Sequence, residues 1–256
     1  MGRRPLGSGN PPSTPGPSIA AVALWASSKG EKTQLLTDKQ RARLAVFASV
    51  VRFNKGTQIY REGDNADAVF NIIDGVVKGY TTLRDETERI SAFLFANDLF
   101  GLAQDGKYAN SAKAVTAVTA YRLPASALES RLRADADLEF QVICKLCQDL
   151  REAQRHAILL ARRNALAKVA MFFQMLGHHQ AARDSSELYL PMSRSDIADY
   201  VGMSPEAVSR SFRTLASRGV ISFKDKRNLK IVDHAQLELA AQLDTPGEHQ
   251  GRPRRR

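Results

Sequence analysis

Ser193-Arg-Ser-Asp-Ile-Ala-Asp-Tyr-Val-Gly-Met-Ser204-Pro-Glu-Ala-Val-Ser-Arg-Ser-Phe212 decides how this chain is read. Ser193 with Asp196 three residues on has the form of a capping box, in which each side chain satisfies the other residue's backbone N–H. Ile197, Ala198 and Val201 then share one face of a helix, and the small Ala198 admits a close neighbour. Gly202 follows where a left-handed residue stops that helix, a conformation that costs least without a Cβ. Ser204 offers a second N-cap, and Pro205 suits the first helical position because no N–H is needed there. Val208, Phe212 and Leu215 make the inward stripe of the second helix. Two capped helices meeting at a glycine turn are a helix-turn-helix.

At the outward N-terminal end of the second helix the pattern leaves Glu206, Ser209 and Arg210. Glu206 and Arg210 are four apart and project together. An arginine so placed grips guanine O6 and N7 with two parallel bonds, a glutamate accepts from the cytosine amine, and a serine serves either role. The plainer alternative is an i,i+4 ion pair on an ordinary helical hairpin. That explains the pairing but not the run of cap, small residue, glycine, cap and proline. Glu206, Ser209 and Arg210 are therefore the expected base readers.

Charge points the same way. The 256 residues carry a formal net charge of +10, which favours a polyanionic partner through counterion release. Arg194, Arg210, Arg213, Arg218, Lys224, Lys226, Arg227 and Lys230 crowd around the motif, while Arg3-Arg4 and the Arg252–Arg256 tail read as solvated ends. The length suffices for one large or two modest domains. Cys144 and Cys147 are the only cysteines, too few for a disulfide framework, so a reducing cytoplasm is the expected home. No run approaches the ~18–20 apolar residues of a membrane span, and no membrane association is expected. Ile19–Ala26 behind Arg3-Arg4 is short for a signal peptide and is not read as one. No P-loop, metal-ligand set or nucleophile-base arrangement stands out, so neither enzyme activity, cofactor nor metal is expected.

The rest of the chain reads as α+β. Residues 1–30, rich in Pro, Gly and Ser, are expected to be a disordered tail, followed by a short helix over Thr37–Phe47. Within a domain spanning 31–135, strands are expected at Val50–Phe53, Thr57–Tyr60, Val69–Ile73, Val76–Leu83, Ile90–Phe95 and Val115–Leu123, giving an antiparallel β-roll. A long helix over 136–162 carries Ile143, Leu146, Leu150, Ala153, Ala157 and Leu160 at heptad spacing, read as a parallel two-helix seam between subunits. Packing of this helix on its own β-domain is the alternative. A winged helix-turn-helix domain spans 163–236, its core fed by Leu166, Val169, Phe172, Phe173 and Leu176. Ile221–Val232 forms the wing, with Lys226 and Arg227 near its tip facing phosphate, and Ser204 and Arg213 join the backbone-contacting set. Residues 237–256 read as a basic tail. His156, His178 and His179 read as surface or helix-end residues rather than ligands.

The order β-roll, long helix, winged helix-turn-helix resembles the Crp/Fnr family of bacterial transcription regulators. The likeness covers roughly Leu35–Asp233 and rests on Gly56, Gly63-Asp64, Ile72, Gly75, Tyr80, Asp98-Leu-Phe-Gly101, Ser193-Arg194 and Glu206-Ala-Val-Ser-Arg210. It implies a homodimer that binds a palindromic promoter site on double-stranded DNA and works through RNA polymerase, with activation the expected mode. It also implies that Ser193 and Arg194 hold the DNA backbone and that Glu206, Ser209 and Arg210 read TTGA-type half-sites, as in the Fnr/FixK branch. The cyclic AMP pattern of the family has Gly-Glu and Arg-Ser-Ala where this chain has Gly101-Leu102 and Asn110-Ser111-Ala112. Without that carboxylate and guanidinium a buried phosphate lacks its charge-assisted partners, so cyclic AMP is not expected as ligand. An iron–sulfur cluster normally wants four thiolates, and none precedes Cys144. The chain thus resembles the FixK type, with an Fnr reading head and no Fnr sensor. Cys144 and Cys147, both off the seam, read as apolar packing against the roll, with a redox or metal switch as the alternative. A cyclic-nucleotide-type binding module whose helices serve a protein partner is the competing functional class.

Overall fold

The computed structural model describes residues 47–103, 105–180 and 186–243. The expected tail over 1–30, the helix from Thr37 and the arginine-rich end lie outside the described residues. Among the described residues no helix is long and apolar enough to cross a membrane.

Eight strands build the roll: β1 (Ser49–Phe53), β2 (Gln58–Tyr60), β3 (Ala68–Asp74), β4 (Val77–Thr82), β5 (Glu88–Leu94), β6 (Leu99–Phe100), β7 (Ser111–Ala114) and β8 (Val118–Pro124). They form two antiparallel four-stranded sheets, ordered β1-β8-β3-β6 and β2-β7-β4-β5. Alternation places Val118 and Ala120 of β8 in the roll interior, while Leu123 faces the other side and packs with Val69, Leu128 and Leu138. The interior is aromatic, with Tyr60 and Tyr108 stacked at 3.7 Å between ring centroids and Phe70 on Phe100 at 5.2 Å. The Tyr108 hydroxyl donates to the Ala68 carbonyl at 2.7 Å.

The reading of Val115–Leu123 as one strand needs correction. The strand β8 begins only at Val118, a bend takes up Val115-Thr116, and the strand before it, β7, falls on residues where none was expected. Ser-Ala-Lys-Ala in β7 has little β-propensity and is held instead by pairing with β2 and β4. Facing that bend, Gly75 has φ +98°, and a Cβ there would lie 2.3 Å from the Ala117 carbonyl oxygen. Gly75→Ala combines a disfavoured backbone region with a clash against main chain. It should cost about 3 kcal/mol or more, read as a melting point lower by roughly 6 °C or more.

After the roll come α1 (Ala125–Ala134) and α2 (Ala136–Ala161), divided at Asp135, whose carboxylate accepts from the Leu138 N–H and caps α2. The inner face of α2 repeats every seven residues, with Leu138, Lys145 and Leu159 buried. Lys145 is a cation where an apolar residue would ordinarily stand. Its Nζ reaches Asp98 Oδ1 at 2.8 Å and Asp149 Oδ1 at 2.7 Å. Burial alone would pull the Lys145 pKa down, but the two carboxylates outweigh it and hold it above the ordinary value.

The C-terminal part holds α3 (Ala165–Gln180), β9 (Glu187–Tyr189), α4 (Arg194–Val201), α5 (Pro205–Ser217), β10 (Ile221–Phe223), β11 (Asn228–Ile231) and α6 (His234–Ala241). Asn164 starts α3 by accepting from the Leu166 N–H at 2.8 Å. The wing is a three-stranded sheet, β10-β11-β9, rather than the hairpin alone. The span 237–256 cannot be tail throughout, because Leu237, Ala240 and Ala241 are buried in α6, which packs on α3. The core runs without a break from β5 into this part, with Phe93 against Phe172 and Tyr200.

Candidate nucleic-acid interface

The two caps form as their residue types dictate. Ser193 Oγ accepts from the Asp196 N–H at 3.0 Å, and the Asp196 carboxylate accepts from the Ser193 N–H at 2.9 Å. Gly202 ends α4 in the left-handed region at φ 64°, ψ 50°. Ser204 Oγ accepts from the Ala207 N–H at 3.2 Å, with Pro205 at the first helical position of α5. Ile197, Ala198, Val201, Val208, Phe212 and Leu215 are all buried where the two helices meet.

On the outer surface of α5, Glu206, Arg210 and Arg213 are exposed. The Glu206 carboxyl is held below its usual range, first by its own backbone N–H, then by the Ser204 hydroxyl, with Arg210 contributing less. That keeps it an acceptor. Ser209 is half-buried, and its hydroxyl donates to the Pro205 carbonyl at 2.8 Å, so a base contact requires that bond to be exchanged. Arg194 does not extend freely into solvent. Its guanidinium lies 3.9 Å above the Phe212 ring and 5.8 Å from that of Phe223. Stacking occupies the guanidinium face and leaves the in-plane N–H donors for an anion. At the wing tip the Asp225 carboxylate accepts from the backbone N–H groups of Arg227 and Asn228, leaving Lys226 and Arg227 exposed.

Several tethers hold the motif in place, and none has a sequence signature. Lys78 of β4 is buried, yet its Nζ bridges Glu88 at 2.6 Å and Asp196 of the capping box at 2.9 Å. Burial opposes ionisation of Asp196, but Lys78 and Ser193 more than offset it and keep the pKa low. The carbonyls ending α4 are taken by two side-chain donors: His156 Nε2 donates to Tyr200 at 2.7 Å, and Lys168 Nζ to Val201 at 3.1 Å. His156 is thus not a surface histidine, and it stacks on Tyr200 at 4.0 Å.

The heptad residues of α2 point outward. Leu150 is 60% exposed, Ile143 and Leu146 47% each and Leu160 44%, with Ala153 and Ala157 exposed between them. The placing of both cysteines in packing against the roll is corrected. Cys144 is half-buried and Cys147 exposed, because Cys147 follows Leu146 on the flank of the apolar stripe and not beneath it.

A family profile described as a Crp-like helix-turn-helix domain matches residues 167–240, and a cyclic nucleotide-binding domain profile matches 50–135. The nitrogen fixation regulation protein FixK of Bradyrhizobium diazoefficiens is 32% identical over 195 residues, 75% of this chain and 81% of that protein. The chain belongs to the Crp/Fnr family. FixK of Azorhizobium caulinodans is 30% identical over 197 residues, 76% of this chain and 79% of the relative. Among solved structures, FixK2 from Bradyrhizobium japonicum superposes with a TM-score of 0.71 at 28% identity, covering 75% of this chain and 96% of that one. This Crp/Fnr member is a transcription regulator with a helix-turn-helix DNA-binding domain, FixK-like in sequence and fold, and not an enzyme.

Proposed function

We propose that this regulator binds palindromic TTGA-type promoter sites as a homodimer and activates transcription by contacting RNA polymerase. Glu206, Ser209 and Arg210 read bases; Ser193, Arg194, Ser204, Arg213, Lys226 and Arg227 hold phosphates. One observation carries the reading: the end of α5 that a major groove would receive presents an exposed carboxylate and an exposed guanidinium one turn apart. The outward apolar stripe of α2 supports the dimer, because two copies of α5 reading half-sites about one turn of DNA apart need a symmetric contact elsewhere. Cyclic AMP is not the effector in this reading. Stacked Tyr60 and Tyr108 fill the roll interior, and the Ser111 hydroxyl is committed to the Glu62 N–H at 3.0 Å.

Two substitutions separate base reading from phosphate holding. Arg210→Ala should cost about 1–3 kcal/mol on a palindromic TTGA-type duplex and relax preference at one base pair. Arg194→Ala should weaken all sequences alike and flatten the salt dependence. Titrating both variants against specific and scrambled duplexes over a salt series checks this. Equal losses on the two duplexes for Arg210→Ala would contradict the assignment.

A further inference from the structure

Cys144 and Cys147 are the only cysteines of the chain and stand one turn apart in α2. Cys147 is exposed and Cys144 half-buried. Burial first, and then the neighbouring Cys147, push the Cys144 thiol above its ordinary pKa, so it is carried protonated and close to its partner. Positions three apart on a helix hold their Cβ atoms about 5–6 Å from each other, whereas a disulfide needs about 3.5–4.5 Å. A direct sulfur–sulfur bond would therefore distort α2, and one large atom inserted between the sulfurs removes the mismatch. A structural zinc wants four ligands, and among the described residues no group of three or more His, Cys, Asp or Glu could hold a metal ion. Nor do two copies pool their thiols: at ~100° per residue Cys147 lies roughly 90° round α2 from the seam and Cys144 about 150°. The pair suits a centre that takes two thiols and brings its third substituent with it. That substituent has a place to lie. Phe140 stands four residues before Cys144, Ile143 four before Cys147 and Leu150 three after it, so all three border the pair on the helix surface. All three are exposed, and Ile143 and Leu150 belong to the seam.

We propose that Cys144 and Cys147 form a binding site for organic trivalent arsenicals, R–As(OH)₂, whose organic group lies on Phe140, Ile143 and Leu150. Two As–O and two S–H bonds break, two As–S bonds form, and each hydroxyl leaves with a thiol proton as water. Arsenic stays trivalent and neither sulfur is oxidised, so no oxidant or reductant is needed. The protonated state of Cys144 suits this exchange, because the departing hydroxyl takes the proton. The regulatory half rests on the homodimer reading above. An organic group over Ile143 and Leu150 occupies apolar surface that a partner helix would cover. Binding the single chain better than the dimer shifts the equilibrium toward single chains and away from palindromic DNA.

The test uses the reduced full chain and phenylarsine oxide, which hydrates to an arsenical of this class. Intact-mass measurement should show one phenylarsenic group per chain. The group should stay on in millimolar glutathione, because one chain presents both thiols at high effective concentration, and should leave in excess dithiothreitol. Cys144→Ser and Cys147→Ser should each abolish the glutathione-resistant adduct. The loaded chain should shift toward half the parent mass in sedimentation, and its affinity for a palindromic duplex should fall about tenfold or more. The double variant carrying both substitutions should bind the duplex as the parent does and ignore the probe. No resistant adduct, an adduct that survives either substitution, or a loaded chain of unchanged mass and duplex affinity would each overturn the proposal. Adduct formation needs no DNA, and duplex binding by the unloaded chain tests the DNA-binding reading separately.

Discussion

Lys145→Ala should destabilise the protein by about 3–5 kcal/mol, the usual cost of stranding a buried charge. Its side chain is 5% exposed and that of Asp98 14%, so water cannot replace the ammonium at Asp98 without opening the junction between α2 and the roll. Asp98 is also committed to the chain turn before β6, where its second oxygen accepts from the Phe95 N–H at 2.7 Å. Loss of the cation therefore reaches both the helix and the turn. The melting point should fall by roughly 6–20 °C. Lys145→Met, which restores apolar volume but not charge, should recover only part of the loss. The deficit of either variant should shrink on acidification, because stranded carboxylates lose their charge by taking up protons. Thermal melts from neutral to acidic pH measure all of this, and a variant melting within a degree of the parent would contradict the role given to the triad.

Leu150→Asp should abolish tight operator binding. Leu150 sits mid-way along the outward stripe of α2 and is 60% exposed in the single chain. In a symmetric dimer the substitution removes two leucines from the contact and sets two carboxylates face to face. Forfeiting two buried leucines costs about 3–6 kcal/mol before any repulsion, which corresponds to at least ~100-fold in dimer affinity. The expected result is a halved mass by sedimentation or light scattering and loss of preference for inverted repeats over single half-sites. The fold should survive, since α2 docks through its other face at Leu138, Lys145 and Leu159. Unchanged mass and affinity would refute the seam.

What was legible in the sequence follows from how local the chemistry is. Ser193, Asp196, Gly202, Ser204 and Pro205 each act within a few residues of themselves, so the motif could be read before any packing was known. The heptads of α2 were legible for the same reason. Strands with β-branched residues stood out, whereas Ser111–Ala114 owes its conformation to distant partners. Lys145 and Lys78 were opaque, because besides a nearby carboxylate each depends for its burial on a second one, 47 and 118 residues away. Arg194 was assigned to the DNA backbone without any sign that Phe212 and Phe223 would form a platform beneath it. The flank position of Cys147 followed from helix geometry, but which flank stays open to solvent depended on where the roll docks.

Selection of binding sites from a random duplex pool tests the central claim most directly. The parent protein at moderate salt should enrich inverted repeats of TTGA-type half-sites with centres about one DNA turn apart, and Arg210→Ala should blur one base pair in each half-site. Recovery of sequences with no inverted repeat, or a pool indistinguishable from the starting one, would contradict it.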